Sequence, residues 1–137
     1  MAETDATYGG GCQCGAIRYR LTGRPLWTAF CHCQSCRRAT GSAVAAYAGY
    51  AADRFAYVAG APRRHGSSSG VTRGFCGACG SPLTYEGERW PGEIHIHIGT
   101  LDQPEAFPPE GHAFAAERLP WLHFADDAQD DAGDTGS

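Results

Sequence analysis

Lysine is absent from this sequence: apart from histidine, all eleven basic residues are arginine, and only Arg37-Arg38 and Arg63-Arg64 stand side by side. Without a sustained basic stripe, charge gives nucleic-acid binding little support. Long apolar runs are missing too, none approaching the roughly 20 residues that cross a bilayer as a helix. The opening MAETDATYGGG lacks the basic patch and following apolar segment of a secretory signal. These absences lead us to expect a cytoplasmic protein with no membrane partner.

The net charge of −4 misleads, because Asp126, Asp127, Asp130, Asp131 and Asp134 crowd together near one end and the remainder carries +1. Hydrophobic residues at 42% and charged residues at 19% lie near globular averages, which argues against a disordered or fibrous chain as a whole. A length of 137 residues suits one domain. We expect residues 1–8 to form a disordered polar leader, 9–125 a single folded domain, and 126–137 a disordered acidic tail without aromatics.

Glycine is abundant, with 19 residues, and 8 prolines accompany it, so tight turns and short elements are expected rather than a helical bundle. Residues 16–21 alternate apolar and polar side chains before Thr22-Gly23, the pattern of a half-buried strand. Residues 27–30, 43–50 and 55–58 read as further strands, although the alanines of 43–50 also permit a helix. Ile94, Ile96 and Ile98 give the clearest strand, with His95 and His97 on its opposite face, where a solvated position is expected. Residues 63–70, with Gly66-Ser67-Ser68-Ser69-Gly70, read as a flexible surface loop. The fold class is mainly β, with short helical turns at most.

The seven cysteines fall into three clusters: Cys12/Cys14, Cys31/Cys33/Cys36 and Cys76/Cys79. An odd count and no secretory signal disfavour a disulfide framework, and clustering between glycines argues against scattered buried thiols. Metal binding remains. In the C-x-x-C of Cys76 and Cys79 both sulfurs turn toward one centre, with Gly77 and Gly80 giving the backbone its freedom. Cys12 and Cys14, if extended, project to one side, and the two pairs together complete a four-thiolate zinc site that staples distant parts of the chain.

Cys31, Cys33 and Cys36 supply three thiolates with no cysteine left for a fourth. The fourth ligand could be His32, His97, His112 or another side chain, closing a structural site, or water, giving a reactive one. Arg37 and Arg38, just beyond, could offset the site's negative charge or hold an anionic substrate, or be plain surface arginines. Thr40-Gly41-Ser42 is a turn with exposed hydroxyls that could contact substrate or simply end the loop. Trp27, Trp90 and Trp121 read as core or rim residues.

The segments GGCQCGAIRY, FCHCQSCRRATGS, FCGACGSPLTYE and GTLDQPE, then His112-Ala113-Phe114 and Arg118-Leu119-Pro120-Trp121, carry a resemblance. Over nearly all of residues 9–121 the chain resembles the glutathione-dependent formaldehyde-activating enzyme family, which includes the centromere protein V domain. The resemblance implies a zinc-binding β-tent of packed antiparallel sheets. It implies two zinc ions: a structural one on Cys12, Cys14, Cys76 and Cys79, and a catalytic one on Cys31, Cys33 and Cys36 with a position for a thiol. It implies carbon–sulfur lyase chemistry, the addition of a thiol such as glutathione to formaldehyde or another small aldehyde; Arg37 and Thr40, read from their place just after Cys36, are the candidate contacts to the thiol substrate. Two other readings stand beside it: a non-catalytic zinc module that binds protein or nucleic acid, and a metal-free thiol redox sensor.

Overall fold

The computed structural model describes residues 6–125 and the backbone of Gln129–Asp130. Among these, a three-stranded sheet holds β1 (Thr7–Gly11), β2 (Arg18–Thr22) and β5 (Phe55–Ala59) in the order β1-β2-β5. The larger sheet contains β3 (Trp27–Cys31), β4 (Ala45–Ala51), β6 (Arg63–Ser68), β7 (Val71–Phe75), β8 (Pro82–Gly87), β9 (Glu93–His97), β10 (Gly111–Ala113) and β11 (Gln129–Asp130). Its order is β11-β10-β3-β4-β9-β8-β7-β6. Pairing is antiparallel except where β10 joins β3 and β11 in parallel. One α-helix, α1 (Gln34–Thr40), joins β3 to β4, and short 3₁₀ turns fill several connections.

The alternation of β2 follows from its side chains: Tyr19 and Leu21 are buried while Arg20 is exposed. Together with Ile17 they meet Ala48, Tyr50, Leu83, Ile94 and Ile96 from the larger sheet in one core. Full burial of side chains such as Leu21, Leu83 and Ile96 contributes about 1.5–3 kcal/mol each. Strand β4 is buried along most of its length because both faces are covered. Ala48 and Tyr50 face this core, whereas Ala45 and Tyr47 belong to a second cluster with Cys31, Cys36 and Tyr85.

Several expectations change. Strand β1 starts at Thr7, so Thr7 and Tyr8 of the expected leader pair with Thr22 and Leu21. Gln129 and Asp130, expected in the tail, pair with Gly111 and His112; residues 1–5 of the leader and the rest of the tail lie outside the described residues. Residues 63–68, expected as a flexible loop, form edge strand β6, whose side chains are all exposed while its backbone is satisfied by β7. A polar edge strand gives no hydrophobic alternation to read. His95 and His97 are not solvated: they are 1% and 8% exposed, because the face they share is roofed by α1, its cysteines and aromatic rings.

Candidate functional site

One rung of the larger sheet organises that face. Antiparallel partners share a face, and the register runs His65 opposite Arg73, Arg73 opposite Tyr85, Tyr85 opposite His95, His95 opposite Gly49 and Gly49 opposite Trp27. Tyr85 stacks on His95 at 5.4 Å, and the Trp27 ring meets His95 edge-on at 4.6 Å. Gly49 makes this possible, since a Cβ there would collide with the Trp27 indole. Glu93 Oε1 lies 3.0 Å from His95 Nε2. Burial pushes the His95 imidazole below its usual range, and pushes His97 down to about 4.

Above the rung sits the three-cysteine cluster. Cys31 ends β3, Cys33 caps α1 by accepting the Cys36 N–H at 3.3 Å, and Gly41 closes the helix by donating to Arg37 O. This first turn gathers the three sulfurs to within 4.8 Å of one another, with Cys31 and Cys33 at 3.4 Å. Tyr47 Oη donates to Cys36 Sγ at 3.3 Å, and Arg73 Nη2 lies 3.6 Å from the same sulfur. Arg73, 9% exposed, also donates to Tyr47 Oη at 3.2 Å and to Ser35 Oγ at 3.0 Å, and its guanidinium rests over the Tyr85 ring. The Cys31 and Cys33 thiols, then Tyr47 and Arg73, hold the Cys36 thiol far below its usual range despite burial.

The other four cysteines meet where β1 and β2 face the β7–β8 connection. Their sulfurs lie within 4.8 Å of one another, Cys12 to Cys14 at 3.6 Å and Cys14 to Cys76 at 3.8 Å. A tetrahedral zinc with sulfurs at 2.3 Å needs edges of about 3.8 Å, so the donor set fits that ion. The Cys12–Cys14 segment is a turn rather than extended, with Gly15 N donating to Cys12 O. Ile17 N donates to Cys12 Sγ at 3.2 Å, and Ala78 N and Cys79 N lie 3.4 Å from Cys76 Sγ. Gly80 leaves the knuckle at a φ of +84°. The Ser81 hydroxyl and amide hold the Cys79 thiol down to about 5.

A cleft of about 330 Å³ opens on the three-cysteine cluster, walled by Cys33, Cys36, Arg73, Tyr85, Arg89 and Phe114 among others. Phe114 holds a left-handed backbone, φ 55°, where β10 turns back toward α1. Glu117, three residues on, accepts from Gln34 N and anchors the start of the helix.

A sequence model of the glutathione-dependent formaldehyde-activating enzymes matches residues 7–117. A putative glutathione-dependent formaldehyde-activating enzyme of Halomonas elongata is 31% identical over 88% of this chain and 83% of its own. The chain belongs to the glutathione-dependent formaldehyde-activating enzyme family. A crystal structure of a Rhodobacter sphaeroides protein has the same fold, with a TM-score of 0.59 and 23% identity over 69% of this chain and 87% of that one.

In this glutathione-dependent formaldehyde-activating family member, the structure gathers all seven expected cysteines into two groups that could hold metal ions. Among the described residues no histidine joins either group. His32 and His112, weighed as fourth ligands, instead share a 2.8 Å hydrogen bond in a buried aromatic stack. Thr40 Oγ1 donates to Cys36 O at 2.8 Å, so it bonds within its own helix. Arg37, the other expected substrate contact, does not line the cysteine cleft. Tyr47, Tyr85, Arg73 and Arg89 escaped the sequence reading. An arginine at the same strand parity as Val71 and Phe75, in the segment VTRGF, was the one available signal.

Proposed function

We propose that this chain adds a thiol such as glutathione to formaldehyde or another small aldehyde, a carbon–sulfur lyase reaction run in its reversible direction, at Cys31, Cys33 and Cys36. The observation that carries the reading is a trio of thiols, one ligand short of a tetrahedron, of which Cys33 and Cys36 line a cleft and Cys31 lies buried behind them. Zinc held there would supply Lewis acidity and would favour the thiolate form of a thiol in the cleft. Cys12, Cys14, Cys76 and Cys79 would hold a second zinc for folding alone.

The chain's own residues hold the trio in place. Tyr47 and Arg73 donate toward Cys36 Sγ and so offset the charge of three crowded thiolates. The N-terminal turn of α1 fixes Cys33 and Cys36 relative to each other. Tyr85, Phe114 and Val71 give the cleft apolar walls that limit water around the reacting carbon. In the addition the thiol sulfur forms a bond to the carbonyl carbon, the carbonyl π bond breaks, and the proton given up by sulfur ends on the new hydroxyl.

The test is the appearance of S-(hydroxymethyl)glutathione from glutathione and formaldehyde, followed by NMR line-exchange above the uncatalysed rate. Wild type should accelerate it and Cys31→Ser should not. Full activity in Cys31→Ser after the loss of one zinc equivalent would remove the trio from the reaction.

A further inference from the structure

Two connections carry the chain between the sheets at the end of β3 and β4 farthest from Cys31: the loop from β2 to β3, and the 3₁₀ turn Ala52–Arg54 from β4 to β5. Between them lies a cavity of about 340 Å³, lined by Arg24 and Leu26 from the loop, Tyr50 and Ala51 from β4, and Arg54 from the turn, among others. Its volume is within the range of small-molecule sites. The run of β4 from Ala45, opposite Cys31, to Ala51 at this cavity spans roughly 20 Å, so the two sites stand at opposite ends of the strand.

The lining is held in place by its own hydrogen bonds. Tyr50, 1% exposed, lines the cavity from the core side and donates from Oη to Gly23 O at 2.8 Å. Gly23 N donates to Ala6 O, Leu26 N donates to Gly49 O, and Pro25 stiffens the stretch between them. On this fixed loop the Arg24 guanidinium rests over the Phe107 ring at 4.9 Å and the Tyr8 ring at 5.7 Å, and donates to Ala106 O at 3.0 Å. All three partners are neutral, so they orient the cation without balancing its charge. Arg54 adds a second, exposed cation. Among the described residues neither arginine forms an ion pair, and no carboxylate lines the cavity. Leu26, in the same lining, is 60% exposed.

We propose that this cavity binds a small amphipathic anion, with its carboxylate or phosphate group on Arg24 and Arg54 and its apolar body against Leu26. The proposal is independent of the reading of the trio. A guanidinium presents paired N–H donors to either oxyanion. Arg24, already oriented, loses little side-chain freedom when an anion arrives. An apolar body over Leu26 removes exposed apolar surface from water. An inorganic anion satisfies only the first half of the site, and a neutral alcohol only the second.

The experiment is an NMR titration of isotope-labelled, zinc-loaded protein at low ionic strength, where exposed charges are least screened. The probes are hexanoate, hexyl phosphate, 1-hexanol and inorganic phosphate. At least one hexyl anion should shift the amides of Gly23, Leu26 and Ala51, and should bind at least about tenfold more tightly than hexanol or inorganic phosphate. The tighter of the two anions names the headgroup. Arg54→Gln should weaken its binding by about tenfold and Leu26→Ser by about fivefold, with zinc content unchanged, because both side chains are exposed and neither holds the fold together. The site is overturned if neither anion moves those amides at millimolar concentration, if hexanol or inorganic phosphate binds as tightly, or if Arg54→Gln binds as wild type does.

Discussion

The two cysteine groups use the same donor atom yet differ in almost everything around it. In the four-cysteine group, the sulfurs come from two turns and are steadied mainly by local backbone N–H groups, those of Ile17, Ala78 and Cys79, with the Ser81 hydroxyl beside Cys79. Cys14 there is exposed. In the three-cysteine group, Cys31 and Cys36 are each 1% exposed, the donors are the side chains of Tyr47 and Arg73, and a cleft opens alongside. An ion saturated by those four sulfurs would need nothing from the sheet and would serve as a staple. An unsaturated one held against the charged, aromatic rung would be placed for chemistry. Each experiment below separates stapling from reacting.

The largest effect is expected from Cys76→Ser. Loss of one of four ligands between sequence-distant turns should lower the unfolding temperature by more than ~10 °C in calorimetry. If Cys76→Ser melts like wild type, the stapling role is wrong. Cys36→Ser should show the opposite split: about one zinc equivalent lost by elemental analysis, turnover down by about 100-fold or more, and a much smaller change in melting.

Arg73→Met keeps the volume near Tyr85 but removes the donor to Cys36 and Tyr47. Zinc affinity at the trio should fall about tenfold in chelator competition, with the four-cysteine site unaffected. An equal loss at both sites would point to general destabilisation.

The smallest effect is a pH dependence. Buried His97 is held near 4 in the folded chain, below the ordinary 6.5. The unfolded chain therefore takes up the proton first as pH falls, so His97 leaves stability intact above 6.5 and erodes it between 6.5 and 4, by roughly 3 kcal/mol in all. His95 is shifted the same way and adds to the slope. Urea unfolding of wild type and His97→Gln at pH 7 and pH 5 should show a smaller loss in the variant. Parallel losses would mean that His97 does not carry this dependence.

Much of this was legible in the residues. The grouping of seven cysteines into four and three is set by spacing and count, and the Ile94/Ile96/Ile98 alternation marks β9 and its buried face. What stayed hidden depends on register. Arg73 reaches Cys36 only because β7 pairs with β8, β8 with β9 and β9 with β4, bringing Arg73 near Tyr47 from 26 residues away. His95 and His97 looked solvated because a polar face next to an apolar one is the ordinary pattern, and nothing local to β9 says that α1 covers it. Edge strand β6 looked like a loop because its side chains bury nothing. Arg37 and Arg38 were equivalent in the sequence, and the angle at which α1 leaves its cysteine cap decides that Arg38 is the one that overlooks a cavity.

The most direct test of the central claim, that one cysteine group staples while the other receives a thiol, is zinc elemental analysis combined with glutathione titration of wild type and Cys36→Ser. We predict two zinc and one glutathione per wild-type chain, and one zinc with no glutathione in the variant. A Cys36→Ser protein that keeps one zinc and still binds glutathione as wild type does would contradict it.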